Sequence, residues 1–126
     1  LTGACVVALG PDIAGVMGPD DASVKSVLDA AERAGEPAWQ LPLPGALDEQ
    51  LKSPVADCKN AGGRWGGALT AALFLKKFTG DADWVHVDLA GPAFADKSKP
   101  GRPAGGTGFG VATLLELLTA DREAQS

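Results

Sequence analysis

His86 and Asp88 alternate within WVHVDLA (84–90), so a strand here turns both side chains to one face. An imidazole beside a carboxylate approximates the base and orienter of a hydrolase triad. A triad also needs a nucleophile, and no Ser stands in a nucleophile-elbow motif. A single strand histidine is more commonly a hydrogen-bonded core residue, and that is the reading adopted for the pair. The glycine runs at 62–67 and 105–110 (GGTGFG) each precede a helix, whose free N–H groups can hold an anion. Neither matches a nucleotide motif: the second lacks the third glycine at its offset, and neither ends in Gly-Lys-Ser/Thr. Tight turns with close backbone approach account for such glycines. Cys5 and Cys58 lack the paired spacing of a zinc site and read as free buried thiols. Asp20, Asp21, Asp29, Glu32, Asp48 and Glu49 are dispersed over helix surfaces, and only Asp57 and Asp88 sit in Gly-rich or apolar surroundings. Two separated carboxylates define no metal site. Lys76 and Lys77 close the last turn of a helix, where positive charge suits the dipole.

The elements that position these residues follow from apolar periodicity and breakers. Residues 3–9 form a Val-rich apolar run stopped by Gly10-Pro11, which predicts a buried strand. Asp20 or Asp21 caps a helix carrying Val24, Val27, Leu28 and Ala31 on one face, and Gly35 ends it. Residues 36–44 hold three prolines and should run extended, with Trp39, Leu41 and Leu43 laying one apolar face on the core. A short helical piece from Ala46 to Lys52 stops before Pro54. The helix from Gly67 to Phe78 is apolar around most of its circumference and must be buried on several sides. Residues 84–90 read as a strand, 91–108 as irregular, and 110–120 as a last helix. Strands separated by helices predict an α/β fold: a partial three-layer α/β/α sandwich around a mixed, largely parallel sheet. Residues 1–120 form the domain portion, and 121–126 (DREAQS) a polar tail prone to fray.

Composition narrows the function classes. Eleven Lys and Arg against sixteen Asp and Glu give a net charge of −5, which argues against a nucleic-acid binder. No stretch approaches the length of a membrane span, and no basic leader precedes the opening apolar run. The reading is a cytoplasmic chain that begins within a domain, with reduced thiols.

Five segments taken in order, LTGACVVALG (1–10), AGVMGPDD (14–21), LKSPVADCKNAGGRWGGALTAALFLKKF (51–78), WVHVDLAGPAF (84–94) and GGTGFGVATLLELL (105–118), resemble the C-terminal part of the leucyl (cytosol) aminopeptidase family. The resemblance covers nearly the whole chain. It implies a metallo-exopeptidase that removes N-terminal residues from peptides with two divalent ions, Zn or Mn, activating water and polarising the scissile carbonyl. In the family the hallmark Asn-Thr-Asp-Ala-Glu-Gly-Arg, the remaining metal ligands and the catalytic Lys lie upstream of the segment matching Leu1, so no catalytic or metal-ligating residue is assigned to this chain. What carries over is the wall of the substrate pocket. Leu1 and Gly3 match backbone groups that contact the peptide, Ala90 and Ala93 match the pocket for the first side chain, and Ala61 matches the second pocket. Small residues there leave volume for an apolar substrate side chain. Ala61 and Ala93 stand where many members carry larger apolar residues, and Arg64-Trp65 also departs from the commoner pattern.

The resemblance further implies a homo-oligomer, a hexamer in the family, with peptides as the partners. The leading expectation is therefore a C-terminal portion of an aminopeptidase, inactive alone. The alternative is a non-enzymatic remnant serving as an interaction or packing module. An anion- or nucleotide-binding domain using the glycine-rich turns is a third reading that no motif supports.

Overall fold

The computed structural model describes residues 2–124, with side chains through Ala120. A three-stranded sheet forms the middle layer, in the order β2 (Ala38–Gln40), β1 (Ala14–Met17), β3 (His86–Asp88). β1 runs parallel to β2, with Gly15 opposite Trp39, and antiparallel to β3, with Gly15 opposite Asp88 and Met17 opposite His86. The sheet is thus mixed, one pairing of each kind.

One face of the sheet presents Val16 and Val87. Helix α2 (Asp21–Ala34) packs there through Val24 and Val27, with Leu117 of helix α4 (Val111–Ala124) beside them. The other face carries helix α1 (Ala4–Leu9) and helix α3 (Gly67–Lys76), which touch β1 and β3 respectively and also each other. Two helices on each side of one sheet give the expected α/β/α layering. A 3-10 helix, Gly45–Leu51, packs on α3 and contributes the fully buried Leu51.

Local chemistry explains most of these elements. Asp20 caps α2 by accepting from the Ser23 N–H at 2.8 Å, and Gly35 ends it in the left-handed conformation, φ 69°. In α3, Ala68, Thr70, Ala71, Ala72 and Leu73 are all buried, as an apolar circumference requires.

Residues 3–9 correct the sequence reading, for they form α1 rather than a buried strand. Gly3 (φ 78°) and Gly10 (φ 82°) bracket a single helical turn and a half, and only Cys5 is buried in it. Val7, two residues further on and 90% exposed, supplied strand-like β-branched character without facing the core. The central strand is instead 14–17, buried at every position but too short and too Gly-containing to announce itself. Trp39 is a second correction. The segment is extended as expected, and Leu41 and Leu43 are half-buried, but β2 is an edge strand and leaves Trp39 67% exposed.

The irregular region after β3 contains a two-stranded antiparallel ribbon, β4 (Phe94–Ala95) with β5 (Gly105–Gly106). The backbone of 121–124 continues α4, while the last residues of the expected polar tail, 125–126, lie outside the described residues. The outer side of α4 exposes Val111, Leu114, Leu115 and Leu118. Among the described residues no helix is long and apolar enough to cross a membrane.

Candidate functional site

The residues that can carry chemistry gather where β3 ends. Asp88 is the last residue of the strand and only 1% exposed. Its Oδ1 accepts the N–H of Ala90 at 3.1 Å, so the strand passes directly into a turn anchored on its own final side chain. Opposite Asp88, Gly15 lacks a Cβ, which lets the Cys5 side chain approach: a methyl there would lie 2.7 Å from the sulfur. Burial, and after it the Asp88 carboxylate, pushes the Cys5 thiol pKa up, opposite to what a reactive thiolate needs.

His86 shares this sheet face and is half-buried. Burial lowers its pKa, and Asp88 opposes that shift without overcoming it. Its Nε2 is enclosed and makes no hydrogen bond among the described residues. His86 and Asp88 thus lie on one face as expected, and among the described residues no nucleophile is hydrogen-bonded to His86 Nε2, as a hydrolytic triad would need.

The turn after β3 is clamped from several directions. The Ala93 N–H donates to the Leu89 carbonyl at 3.0 Å, and Pro92 is fully buried. The Pro92 carbonyl accepts from the Thr107 hydroxyl at 2.6 Å and from the Arg102 guanidinium at 3.2 Å, and the Thr107 N–H donates to the Ala93 carbonyl at 3.0 Å. Gly91 lies against the Pro11 backbone so closely that a Cβ would meet its carbonyl oxygen at 2.9 Å. Ala90 is exposed and Ala93 half-buried on this fixed frame. Neither Thr107 nor Arg102 stood out as functional in the sequence. The threonine interrupting GGTGFG was the available signal.

Of the other pocket candidates, Gly3 is exposed at the start of α1, and Leu1 lies outside the described residues. The next residue after Gly3, Ala4, touches Gly67: a Cβ on Gly67 would lie 3.1 Å from Ala4 Cβ. This brings the Gly3 end of α1 to the end of the loop that holds Ala61, itself exposed. Ala90 and Ala93 share one turn, and that turn meets Pro11, beyond the other end of α1. The structure therefore places the candidates in two groups linked by α1. Surface hollows of about 870 Å³ along α2 and β2, and about 630 Å³ between α2, β3 and α4, are lined by neither group.

The two glycine runs resolve as packing and turn devices. Gly62 abuts Thr70 and Gln50, and Gln50 Oε1 accepts the Gly63 N–H at 2.8 Å. Gly105, Gly108 and Gly110 all have positive φ. The N-terminus of α4 that follows is already filled by a carboxylate of the same chain: Glu36 accepts from the N–H groups of Gly110 and Thr113, both at 2.9 Å. Asp57 is exposed, and Lys77 pairs with Asp48 at 2.8 Å. Cys5 and Cys58 are both free. Among the described residues no three of His, Cys, Asp or Glu form a group that could hold a metal ion, so the two-ion centre implied by the resemblance does not fit this chain's own donors.

The catalytic-domain model of the cytosol aminopeptidase family matches residues 1–115. A probable cytosol aminopeptidase of Rhodopirellula baltica is 56% identical over 119 residues, which is 94% of this chain and 24% of that protein. The neutral chloroplastic leucine aminopeptidase of Solanum lycopersicum is 54% identical over 119 residues, 94% of this chain and 20% of that protein. Among solved structures, the bottromycin maturation enzyme BotP in complex with Mn aligns with a TM-score of 0.88 at 44% identity, covering 95% of this chain and 27% of that one. The chain spans about a quarter of the length of the curated relatives it matches. With the family model covering every element as far as the start of α4, the chain belongs to the cytosol aminopeptidase family.

Proposed function

We propose that residues 1–120 are the C-terminal portion of an aminopeptidase catalytic domain and that they furnish the wall of its substrate pocket, with 121–126 a polar segment into which α4 runs on as far as residue 124. The substrates are peptides with a free N-terminus. Leu1 and Gly3 contact the peptide through backbone groups, Ala90 and Ala93 bound the pocket for its first side chain, and Ala61 bounds the second. The divalent ions, Mn or Zn, and the catalytic side chains come from the remainder of the polypeptide, ahead of Leu1. The parent enzyme is a cytoplasmic homo-oligomer, hexameric in the family pattern, and the 126-residue chain alone releases no amino acid.

The observation that carries this reading is the family match over residues 1–115 in a chain about a quarter the length of its relatives. The exposed Ala90 on its clamped turn supports the pocket assignment, because a small residue on a rigid backbone leaves a defined volume for an apolar side chain.

Intact mass and N-terminal sequencing of the native protein test the proposal. The expected result is a longer polypeptide with Asn-Thr-Asp-Ala-Glu-Gly-Arg in frame shortly before Leu1. A native chain starting at or near Leu1 would overturn it and leave a metal-free remnant. EDTA-sensitive release of leucine from a leucyl amide by the purified 126-residue chain would overturn the claim that it is inactive alone.

A further inference from the structure

We infer that Asp88 is a positioning residue for substrate selection: by holding the Ala90 N–H it fixes the turn whose alanines bound the first side-chain pocket. The inference rests on the pocket reading proposed above and adds a residue that does not itself face substrate.

Three observations carry it. Asp88 is almost completely buried, where a hydrogen bond to its carboxylate counts for more than it would in water. Its Oδ1 accepts the Ala90 N–H at 3.1 Å, joining the last strand residue to the exposed alanine two positions on. Downstream, the Leu89–Ala93 hydrogen bond, the Thr107 and Arg102 contacts to Pro92, and Gly91 against Pro11 fix the rest of the turn. The 89–90 peptide is thus held at both ends, its Leu89 carbonyl by the Ala93 N–H and its Ala90 N–H by the Asp88 carboxylate. Losing the Asp88 acceptor releases the Ala90 end of that peptide and shifts the Ala90 methyl, which changes pocket volume rather than the reacting groups. A pocket wall displaced by a fraction of an ångström acts on large side chains more than on small ones.

The test uses the full-length polypeptide that contains this chain, as wild type, Asp88→Ala and Asp88→Asn. Amide hydrogen exchange at Ala90 reads the backbone directly and does not depend on activity. Asp88→Ala is expected to speed Ala90 exchange at least tenfold while leaving Val87 within about threefold of wild type. Asp88→Asn, which keeps an oxygen acceptor of the same shape, restores most of the protection. The kcat/KM ratio for leucyl over alanyl amide is expected to change at least fivefold in Asp88→Ala and less than twofold in Asp88→Asn. Unchanged Ala90 exchange overturns the inference, as does a loosened Ala90 with an unchanged leucyl-to-alanyl ratio. If Asp88→Ala does not fold, Asp88→Leu, of similar shape and without an acceptor, decides: an exchange change confined to Ala90 supports the role, and no change or one spread evenly over 86–90 overturns it. Absence of any aminopeptidase activity in the wild type overturns the underlying aminopeptidase reading, and the pocket role falls with it, whatever the exchange result.

Discussion

Glu36 closes the start of α4 by accepting two hydrogen bonds from Thr113, one from the backbone N–H at 2.9 Å and one from the hydroxyl. The Gly110 N–H is its third donor, at 2.9 Å. A helix N-terminus leaves four N–H groups without intrahelical partners and carries partial positive charge, so it favours an anion. Here the anion sits directly after the glycine that ends α2, and a turn further along α4 Glu116 pairs with Arg33 at 3.3 Å. The end of one helix and the start of another, both packed on the same sheet face, are thereby tied together.

The tie should weaken in acid. Burial pushes the Glu36 carboxyl up, but hydrogen bonds from Thr113 and Gly110 outweigh it and leave its pKa below the ordinary value. A carboxylate with a folded pKa below the unfolded one stabilises fully above the unfolded pKa, and that contribution is lost as pH falls through the folded pKa. Asp20, lowered by the hydrogen bonds from Ser23, titrates in the same sense, so the informative quantity is a difference between variants. The melting temperature of Glu36→Gln should lie below wild type by roughly 3–8 °C at pH 7. The gap should close as pH falls through the folded Glu36 pKa, which lies below the ordinary carboxylate value. A gap independent of pH would mean the carboxylate charge is not what holds α4.

Thr113→Val separates the hydroxyl from the backbone donor. Valine keeps the shape and the N–H but removes one hydrogen bond from a residue only 7% exposed, at an expected cost of about 1 kcal/mol. Because both groups serve one contact, Thr113→Val and Glu36→Gln should be non-additive in urea unfolding by about 0.5 kcal/mol or more. Costs that simply add would deny the coupling.

How far the sequence disclosed this arrangement depended on whether the deciding interaction was local. Helix α2 was legible because its cap, its apolar stripe and its terminating glycine all lie within the segment. Helix α3 was legible because an apolar circumference has no other use. Residues 3–9 misled because Val6 and Val7 suit a strand, whereas the outcome was set by Gly3, Gly10 and the seat for Cys5 on Gly15, a contact ten residues away. The Glu36 clasp spans 77 residues and left no local trace. Of the candidate pocket, the sequence indicated which residues match the family, and the structure adds the restraints behind Ala90 and Ala93: Asp88 accepts the Ala90 N–H, and Arg102 and Thr107 donate to the Pro92 carbonyl.

His86 provides a direct probe of the β3 face, since it is the only histidine in the chain. Burial holds its pKa below the ordinary histidine value, against the opposing pull of Asp88. Its imidazole proton resonance should titrate with a midpoint below about 6.5, and Asp88→Asn should lower the midpoint further. The sign for stability matches that of Glu36: a depressed folded pKa contributes above the unfolded value and is lost as pH falls through the folded one. A midpoint at or above the free-histidine value would show that water or a hydrogen-bond partner reaches the ring.

The two thiols should differ sharply in reactivity. Cys5 is buried and its pKa is raised by burial and then by Asp88, while Cys58 is half-exposed. Maleimide labelling of the folded chain followed by peptide mass analysis should modify Cys58 at least tenfold faster than Cys5. Adding urea should bring the rates together. Equal labelling without denaturant would mean that α1 opens from the sheet in the native protein.

Gly91→Ala tests whether the turn carrying Ala90 and Ala93 must lie against the chain leaving α1. A Cβ at Gly91 meets the carbonyl oxygen, carbonyl carbon and Cα of Pro11 at 2.9, 3.0 and 3.0 Å. These are backbone atoms, so no side-chain rotation relieves the clash, and the expected loss is about 1–3 kcal/mol in urea unfolding. Gly45→Ala is the matched control, because a Cβ there meets nothing within 4 Å and the residue opens a helical turn, so its effect should be small or slightly stabilising. In the full-length polypeptide Gly91→Ala should also alter discrimination among N-terminal side chains, since relief of the clash requires the turn to move away from Pro11 and Ala90 and Ala93 move with it. Wild-type stability in Gly91→Ala would mean the two segments separate freely, and the close packing of Gly91 on Pro11 would then place no constraint on the proposed pocket wall.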